Sequence, residues 1–282
     1  MIGTPTSGTR VFAVLGDPVG HSRSPIFQNA AFRAAGVDGV YVALSCGAGE
    51  LPCLLRALAL AGGGGNVTAP HKQAAARAVD RRTETVERSG ACNTFWLQEG
   101  EVWGDNTDVA GFVAAAAALL PRPLAGLRIL VLGAGGVARS VLCALIDGGV
   151  REVVILNRTA ARADALVDHF QEETTALRRI LSAGEVAGER FDLAVNSTAL
   201  GLRPGDPLPL APDAVEIAAA LDLVYLPGQT PWVHAIRRSG IPAADGKEML
   251  LHQGAAAFER WWSVPAPLQA MREALDRCGD PG

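Results

Sequence analysis

The chain has 282 residues, a formal net charge of −4 at pH 7, 49% hydrophobic residues and 19% charged residues. These values are typical of a globular protein of one large or two ordinary domains, and they exclude the basic field that nucleic-acid or polybasic membrane binding requires. No apolar run is long enough to span a membrane, and the N-terminus lacks the apolar region of a signal peptide, so we expect a cytoplasmic protein. Five cysteines without a C-x-x-C pair, and five histidines without an H-x-x-x-H cluster, predict neither a disulfide framework nor a metal site.

The first part of the chain alternates short apolar runs with helical segments. We predict strands at residues 11–15 and 41–44, helices at 50–60 and 72–79, and a hairpin of two strands at 94–97 and 101–103. Ser24 is predicted to be the N-cap of a helix that has Pro25 at its first position and stops at Gly36. This alternation of strands and helices predicts an α/β domain with a largely parallel sheet.

A run of four glycines, residues 62–65, precedes a lysine at the start of the helix predicted at 72–79. The glycines indicate a flexible approach to a site, and Pro70 ends any strand here because it has no N–H. Lys72 lies at a strand-to-helix junction, where polar side chains tend to converge. It is either a solvated charge in the first turn of a helix or a proton donor and acceptor held near a carboxylate. The stretch by itself favours the solvated charge.

A long helix and a glycine-rich βαβ unit follow. Residues 105–108 are predicted to cap a helix at 109–120, which crosses between two domains. Strands at 127–132 and 153–156 then flank a helix, and the turn before that helix allows a backbone to approach a pyrophosphate at the helix N-terminus. A tight turn without a ligand is the alternative. The candidate cofactor residues in this turn are Gly133, Ala134, Gly135, Gly136, Val137 and Ala138.

The residue after the second βαβ strand indicates which dinucleotide binds. An acid that binds the ribose hydroxyls is usual there when the ligand is NAD, but this chain has Asn157. Arg158 follows it, and Arg162 lies one helical turn further on. Two arginines and no acid suit a 2′-phosphate, so we predict NADP rather than NAD. The alternative is that both arginines are ordinary surface charges.

The remaining segments complete the same alternation. We predict strands at 191–195, at 220–224 and at Ile241, and helices at 230–238, at 249–262 and between Leu268 and Cys278. Ser197 and Thr198 follow the first of these strands, and Tyr225 follows the second. Polar residues at successive strand ends face the ligand crevice of such a sheet.

Several blocks of the chain, in this order, resemble the shikimate dehydrogenase family over nearly the whole length. The blocks are residues 16–25, which end in His21-Ser22-Arg23-Ser24-Pro25, and residues 66–72, 90–94, 104–108, 133–138, 157–159 and 246–253. The resemblance implies two domains. An N-terminal α/β substrate domain, residues 1–107 completed by 247–282, is followed by a Rossmann NADP-binding domain, residues 108–246, and the C-terminal helices pack back on the first domain.

The resemblance also implies the reaction and its residues. The expected protein is an NADP-dependent oxidoreductase of chorismate and aromatic amino-acid synthesis that reversibly reduces 3-dehydroshikimate to shikimate. Hydride transfer creates an alkoxide that needs a proton donor, and Lys72 with Asp108 is the implied proton-transfer pair. The implied substrate residues are Ser22, Ser24, Asn66, Thr68, Asn93, Tyr225 and Gln253. The implied cofactor residues, besides the glycine turn, are Asn157, Arg158, Thr159, Arg162, Ser197, Thr198 and Gly246.

Other interpretations stay open from the residues themselves. Ser24 and Asp108 could be helix caps only. Gln28 stands where the family often has histidine, so a quinate or aminoshikimate dehydrogenase of the same family is an alternative. A non-catalytic nucleotide-sensing protein is a further alternative, although such a protein has no use for a pairing of Lys72 with Asp108. We expect a small-molecule substrate, no nucleic-acid or membrane partner, and a monomer or homodimer.

Overall fold

The computed structural model describes residues 4–277. The chain divides into two compact units, Met1–Gly111 with Leu250–Gly282, and Phe112–Met249. Among the described residues, no helix is both long and apolar enough to cross a membrane. The predicted end of the last helix, Cys278, lies outside the described residues.

One mixed sheet organises the first unit. Its elements are β1 (Arg10–Gly16), α1 (Ser24–Ala35), β2 (Gly39–Ser45), α2 (Leu51–Leu60), β3 (Gly64–Val67), α3 (Lys72–Ala78), β4 (Arg81–Arg82), α4 (Glu84–Ser89), β5 (Thr94–Gln98), β6 (Glu101–Asp105) and the start of α5 (Asp108–Leu119). The strand order is β2-β1-β3-β5-β6-β4, with β1 parallel to β2 and β3 and with β5 antiparallel to β3 and β6. The ends of β1, β3 and β6 and the start of β5 therefore lie at one edge of the sheet.

A fully parallel six-stranded sheet organises the second unit. The elements of this unit are β7 (Arg128–Leu132), α6 (Gly136–Asp147), β8 (Glu152–Leu156), α7 (Ala160–Phe170), β9 (Leu177–Ile180), a 3₁₀ turn (Ala183–Val186), β10 (Arg190–Phe191), β11 (Leu193–Asn196), β12 (Glu216–Ile217), β13 (Ala220–Asp222), α8 (Pro231–Arg238), β14 (Ala243–Ala244) and the start of α9 (Lys247–Trp262). Strands β10 and β12 form a separate two-stranded sheet. The order β9-β8-β7-β11-β13-β14 is that of the Rossmann fold, whose switch point lies between β7 and β11. The predicted fold class is confirmed.

The C-terminal helices pack on the first unit, as expected. Helix α9 contributes Phe258 and Trp261 to a core that also contains Phe12, and α10 (Leu268–Arg277) contributes Met271. The rings of Phe12 and Trp261 have centroids 4.9 Å apart. Burial of aromatic surface of this size is what fixes these helices to the sheet.

The glycine run is not a flexible connection, so that prediction is wrong. Gly64 and Gly65 belong to β3, and both are buried between neighbouring strands. A Cβ at Gly65 would lie 2.1 Å from the carbonyl oxygen of Ala13, and one at Gly64 would lie 2.5 Å from that of Phe95. The glycines are therefore needed because β1 and β5 approach β3 too closely for side chains.

Three local predictions are also corrected. Helix α1 begins at Ser24 itself, and Arg23 occupies the N-cap position without a side-chain cap, so Ser24 is not the N-cap. The strand predicted at 191–195 is two strands, because Phe191 in β10 pairs with Ile217 of β12 while β11 starts at Leu193. The last strand is Ala243–Ala244 rather than Ile241.

Candidate active site

Two loops meet at the edge of the first sheet because a glycine allows them to. Thr68 follows β3, and its N–H donates to the carbonyl oxygen of Leu15 in β1 at 2.8 Å. A Cβ at Gly16 would lie 2.4 Å from Cγ2 of Thr68. The block after β1, which contains both predicted serines, and the block after β3, which leads to Lys72, are thereby brought side by side.

A lysine and a carboxylate form a short ion pair at this edge. Lys72 is the first residue of α3 and Asp108 the first of α5, and Lys72 Nζ lies 2.6 Å from Asp108 Oδ2. The two side chains are 14% and 7% exposed. A cation at a helix N-terminus is unfavourable by itself, whereas an acid in a first turn is favourable, so Asp108 supplies what the start of α3 lacks. Lys72 is therefore a paired charge and not the solvated one that its local sequence favours.

Asn93 holds the other oxygen of the same carboxylate. Its Nδ2 donates to Asp108 Oδ1 at 2.9 Å and lies 3.4 Å from Oε1 of Gln253 in α9. Its Oδ1 accepts from the N–H of Thr107 at 2.8 Å, which fixes the orientation of the amide. The structure thus brings four predicted residues, Lys72, Asp108, Asn93 and Gln253, into one hydrogen-bonded group.

Asn66 is anchored inside the protein rather than presented at the edge. It is 5% exposed, and its Oδ1 accepts from the hydroxyl of Tyr41 at 2.7 Å. Its Nδ2 donates to the carbonyl oxygen of Asn93 at 3.1 Å and to Thr94 Oγ1 at 3.0 Å. These contacts make Asn66 a support for Asn93, and its role as a substrate residue stays a prediction.

The serine block lies at the start of α1. Ser22 is half-buried, and its Oγ accepts from the N–H of Ser24 at 3.3 Å. Ser24 is 6% exposed. Gln28, one turn further along α1, is fully buried and donates through Nε2 to the carbonyl oxygen of Gly254 at 2.8 Å. Gln28 therefore fixes α9 next to Gln253.

Asp105 supports the loop that presents Asp108, a role that the sequence did not reveal. Its Oδ1 accepts from the hydroxyls of Thr83 and Thr85, both at 2.6 Å, and its Oδ2 from Arg260 Nε at 2.8 Å. Burial by itself would raise the pKa of the Asp105 carboxyl, but the two threonines and the charge of Arg260 outweigh it and lower that pKa below the ordinary value. The ionised carboxylate of Asp105 thus anchors the start of the loop that leads to Asp108. The sequence placed Asp105 only in the segment 105–108 that caps the next helix, whereas the structure makes it the last residue of β6.

The switch point of the second sheet contains the glycine turn. Gly133 follows β7 with φ +104°, a conformation that favours glycine, and a Cβ there would lie 2.8 Å from Cγ2 of Thr198. Ser197 Oγ donates to the carbonyl oxygen of Leu132 at 2.8 Å and so clamps this turn. The N-cap of α6 is Gly135, which has no side chain to cap the helix, and its first turn contains no acid.

This turn fits a dinucleotide phosphate. Uncapped N–H groups at a helix N-terminus bind anions, and the glycines leave open space at Gly135 and Gly136, where an added Cβ would meet no atom within 4 Å. Ala134 lies in the turn between β7 and α6, and Val137 and Ala138 lie in the first turn of α6, where Ala138 is fully buried. The residues present therefore suit the pyrophosphate of NADP.

The loop after β8 suits the 2′-phosphate of the same cofactor. Asn157 Nδ2 donates to the carbonyl oxygen of Thr159 at 2.8 Å, which folds the loop back on itself. Arg158, Thr159 and Arg162 are exposed. Two exposed guanidinium groups beside a folded loop that contains no acid are the donors that a phosphate dianion needs.

Gly246 permits a close approach to the segment that contains Tyr225. The N–H of Gly246 donates to the carbonyl oxygen of Val224 at 3.0 Å, and a Cβ there would lie 2.4 Å from the carbonyl oxygen of Leu223. Tyr225 is half-buried. The contact that the structure gives Gly246 is thus to the Tyr225 segment, and its role toward a cofactor stays a prediction.

The fold and these residues first define a class: an α/β protein with a dinucleotide-binding Rossmann unit and, on its other unit, a partly buried lysine paired with a buried carboxylate. Three family models match the chain. They describe the shikimate dehydrogenase substrate-binding domain at residues 14–95, shikimate/quinate 5-dehydrogenase at 115–200, and the shikimate 5′-dehydrogenase C-terminal domain at 246–275. The chain belongs to the shikimate dehydrogenase family.

Proteins similar to this chain match it over most or nearly all of its length. A shikimate dehydrogenase (NADP(+)) of Methylocella silvestris is 41% identical over 257 residues, which cover 89% of this chain and 90% of that protein. The shikimate dehydrogenase structure from Aquifex aeolicus has a TM-score of 0.88 at 32% identity and covers 96% of this chain and 99% of its own. The shikimate 5-dehydrogenase of Thermus thermophilus, solved with NADP(H) and shikimate, has a TM-score of 0.84 at 35% identity and covers 96% and 100%.

Proposed function

We propose that this protein is an NADP-dependent shikimate dehydrogenase, which reversibly reduces 3-dehydroshikimate to shikimate on the route to chorismate and the aromatic amino acids. The observation that most supports this function is the ion pair at the edge of the first sheet, in which Lys72 Nζ lies 2.6 Å from Asp108 Oδ2. We assign substrate binding to residues 1–107 with 247–282, and NADP binding to residues 108–246. The substrate is then a small molecule. A cytoplasmic location and a monomeric or homodimeric state remain predictions.

The pair provides the proton that the reaction needs. NADPH, when bound, supplies the hydride. As the keto oxygen gains negative charge, the Lys72 ammonium stabilises it and transfers a proton to it. Asp108 keeps Nζ aimed and balances its charge, and Asn93 keeps Asp108 in place. In the oxidation direction the substrate hydroxyl returns that proton to the pair.

The remaining polar residues of the edge would bind the substrate. Ser22 and Ser24 can donate hydroxyl hydrogen bonds to the carboxylate, which requires no fixed charge. Thr68, Asn93 and Gln253 would bind ring hydroxyls, with Tyr225 as a further contact. The hydrogen bond from Asn93 to Asp108 makes its proposed substrate role a second use of the same side chain.

Substrate and cofactor profiling tests the function. We expect shikimate-dependent reduction of NADP+, with quinate turned over more slowly and NAD+ used less well. Faster turnover of quinate than of shikimate would support the alternative within the family. No turnover of either substrate with either cofactor would refute the dehydrogenase and leave the nucleotide-sensing alternative.

An arginine substitution tests the cofactor assignment separately. Arg158→Ala should raise the KM for NADP+ by about tenfold or more and leave the KM for NAD+ nearly unchanged, because only NADP+ has the 2′-phosphate. Arg151→Ala is the matched control, since Arg151 is exposed at the opposite end of β8. Equal effects on the two cofactors would show that Arg158 does not contact the 2′-phosphate.

A further inference from the structure

A buried carboxylate in the second unit has no role in the mechanism above. Asp222 is the last residue of β13 and is fully buried. Its Oδ1 accepts from Asn196 Nδ2 at 2.8 Å and from the N–H of Val224 at 3.1 Å, and its Oδ2 accepts from Thr230 Oγ1 at 2.6 Å. Three neutral donors thus converge on one carboxylate: Asn196 comes from the end of β11, and Val224 and Thr230 come from the two ends of the loop that follows β13.

One of these donors controls the loop on the cofactor side. Asn196 Oδ1 accepts from the N–H of Thr198 at 3.0 Å and from Thr198 Oγ1 at 2.7 Å. Its amide hydrogens go to Asp222 and, at 3.2 Å, to the carbonyl oxygen of Leu200. Asp222 therefore fixes the Asn196 amide, and this amide shapes the cofactor loop, residues 197–201, beside the glycine turn.

The other two donors hold both ends of the next loop. Val224 directly precedes Tyr225, and Thr230 is the N-cap of α8, where its Oγ1 also accepts from the N–H of Val233 at 3.2 Å. The tyrosine loop, residues 223–230, is thereby closed on the single carboxylate of Asp222. Because the cofactor loop is held by the same group, a change at Asp222 reaches both.

We propose that Asp222 is a positioning residue that holds the cofactor loop through Asn196 and the tyrosine loop through Thr230, so that each loop depends on its own hydrogen bond to this carboxylate. The proposal rests on the proposed function, since it takes Tyr225 as a substrate contact and Thr198 as a cofactor contact. Burial raises the pKa of the Asp222 carboxyl, and the bonds from Thr230, Val224 and Asn196 act against that shift.

A pair of substitutions at Thr230 separates positioning from folding. Thr230→Val has nearly the same shape but removes the donor to Asp222, whereas Thr230→Ser keeps a hydroxyl. Thr230→Val should raise the KM for shikimate about tenfold, equivalent to about 1.4 kcal/mol, without changing the KM for NADP+. Thr230→Ser, which keeps the hydroxyl donor, should have a KM for shikimate close to that of the unmutated protein. Asp222→Ala should raise both KM values.

The outcomes distinguish this proposal from the proposed function. A lower Tm for Thr230→Val with both KM values unchanged would overturn the positioning role, because Thr230 would then serve only the helix. Equal increases in both KM values for Thr230→Val would also overturn it. If the unmutated protein fails to turn over shikimate, the proposed function fails instead. NADPH binding, followed by its fluorescence, still tests the cofactor half: Asp222→Ala should bind it about tenfold more weakly, and unchanged binding would overturn that half.

Discussion

Gly16 is the position at which a single added methyl group should disturb the active site without unfolding the protein. Its backbone lies outside the left-handed region, so alanine is conformationally allowed, but the new Cβ would lie 2.4 Å from Cγ2 of Thr68 and 3.2 Å from the carbonyl oxygen of Ala69. Ordinary contacts between carbon atoms are about 3.5–4.0 Å. Thr68 must therefore move by about 1 Å away from β1, together with the loop that leads to Lys72.

The expected magnitude follows from that displacement. Overpacking of this kind costs about 1–3 kcal/mol in the free energy of unfolding, which a core of this size tolerates. A displacement of about 1 Å at a reacting group can cost on the order of 100-fold in rate. Gly16→Ala should thus lower kcat/KM for shikimate far more than it lowers Tm, measured by NADPH formation and by thermal unfolding of the same preparation.

Gly49→Ala is the matched control for this experiment. Gly49 lies in an exposed turn of the same unit, and a Cβ there would meet no atom within 4 Å. It should leave both kcat/KM and Tm unchanged. If Gly16→Ala also leaves kcat/KM unchanged, the two loops are not held by this contact and the reasoning is refuted.

Two further predictions concern buried groups of the first unit. Burial raises the pKa of the Cys92 thiol to about 12, so a thiol reagent at neutral pH should label the exposed Cys53 in the native protein and Cys92 only after unfolding; equal labelling rates, measured by peptide mass spectrometry, would contradict this. The folded-state pKa of Asp105 lies below its unfolded value of about 3.9, so its contribution to stability is complete above that value and is lost as the pH falls through the folded pKa. Urea unfolding should therefore show Asp105→Asn to be less stable than the unmutated protein at neutral pH, with the difference shrinking below about pH 4; a difference that does not change with pH would contradict the assignment.

Much of the fold was accessible from sequence because its signals are local. The helix at Ser24–Ala35 ends at Gly36 in the left-handed region, as predicted, and the hairpin turns at Gly100, which has φ +80°. β9 gave no such signal, because Arg178 and Arg179 occupy its centre. Arg178 is accommodated there by Glu152, 3.1 Å away on the neighbouring strand. Such a pairing becomes visible only when the strands are placed side by side.

In the candidate site, too, the sequence indicated some features and not those that depend on contacts between distant parts of the chain. Sequence pattern and family resemblance named Lys72, Asp108, Asn93 and Gln253, and the structure brings these together. They could not indicate that the amide hydrogens of Asn66 are bound inside the protein, because that depends on the strand opposite it. Nor could they indicate Asp222, since the apolar residues up to Val224 placed the end of the strand two residues too late.

The most direct test of the central claim compares the unmutated protein with Lys72→Ala and Asp108→Asn in shikimate-dependent reduction of NADP+. If the pair transfers the proton, each substitution should lower kcat by about 100-fold to 10,000-fold with little change in the KM for shikimate. The double substitution should be little worse than either single one, because the two groups act as a unit. A kcat of Lys72→Ala close to that of the unmutated protein would contradict the assignment of proton transfer to Lys72.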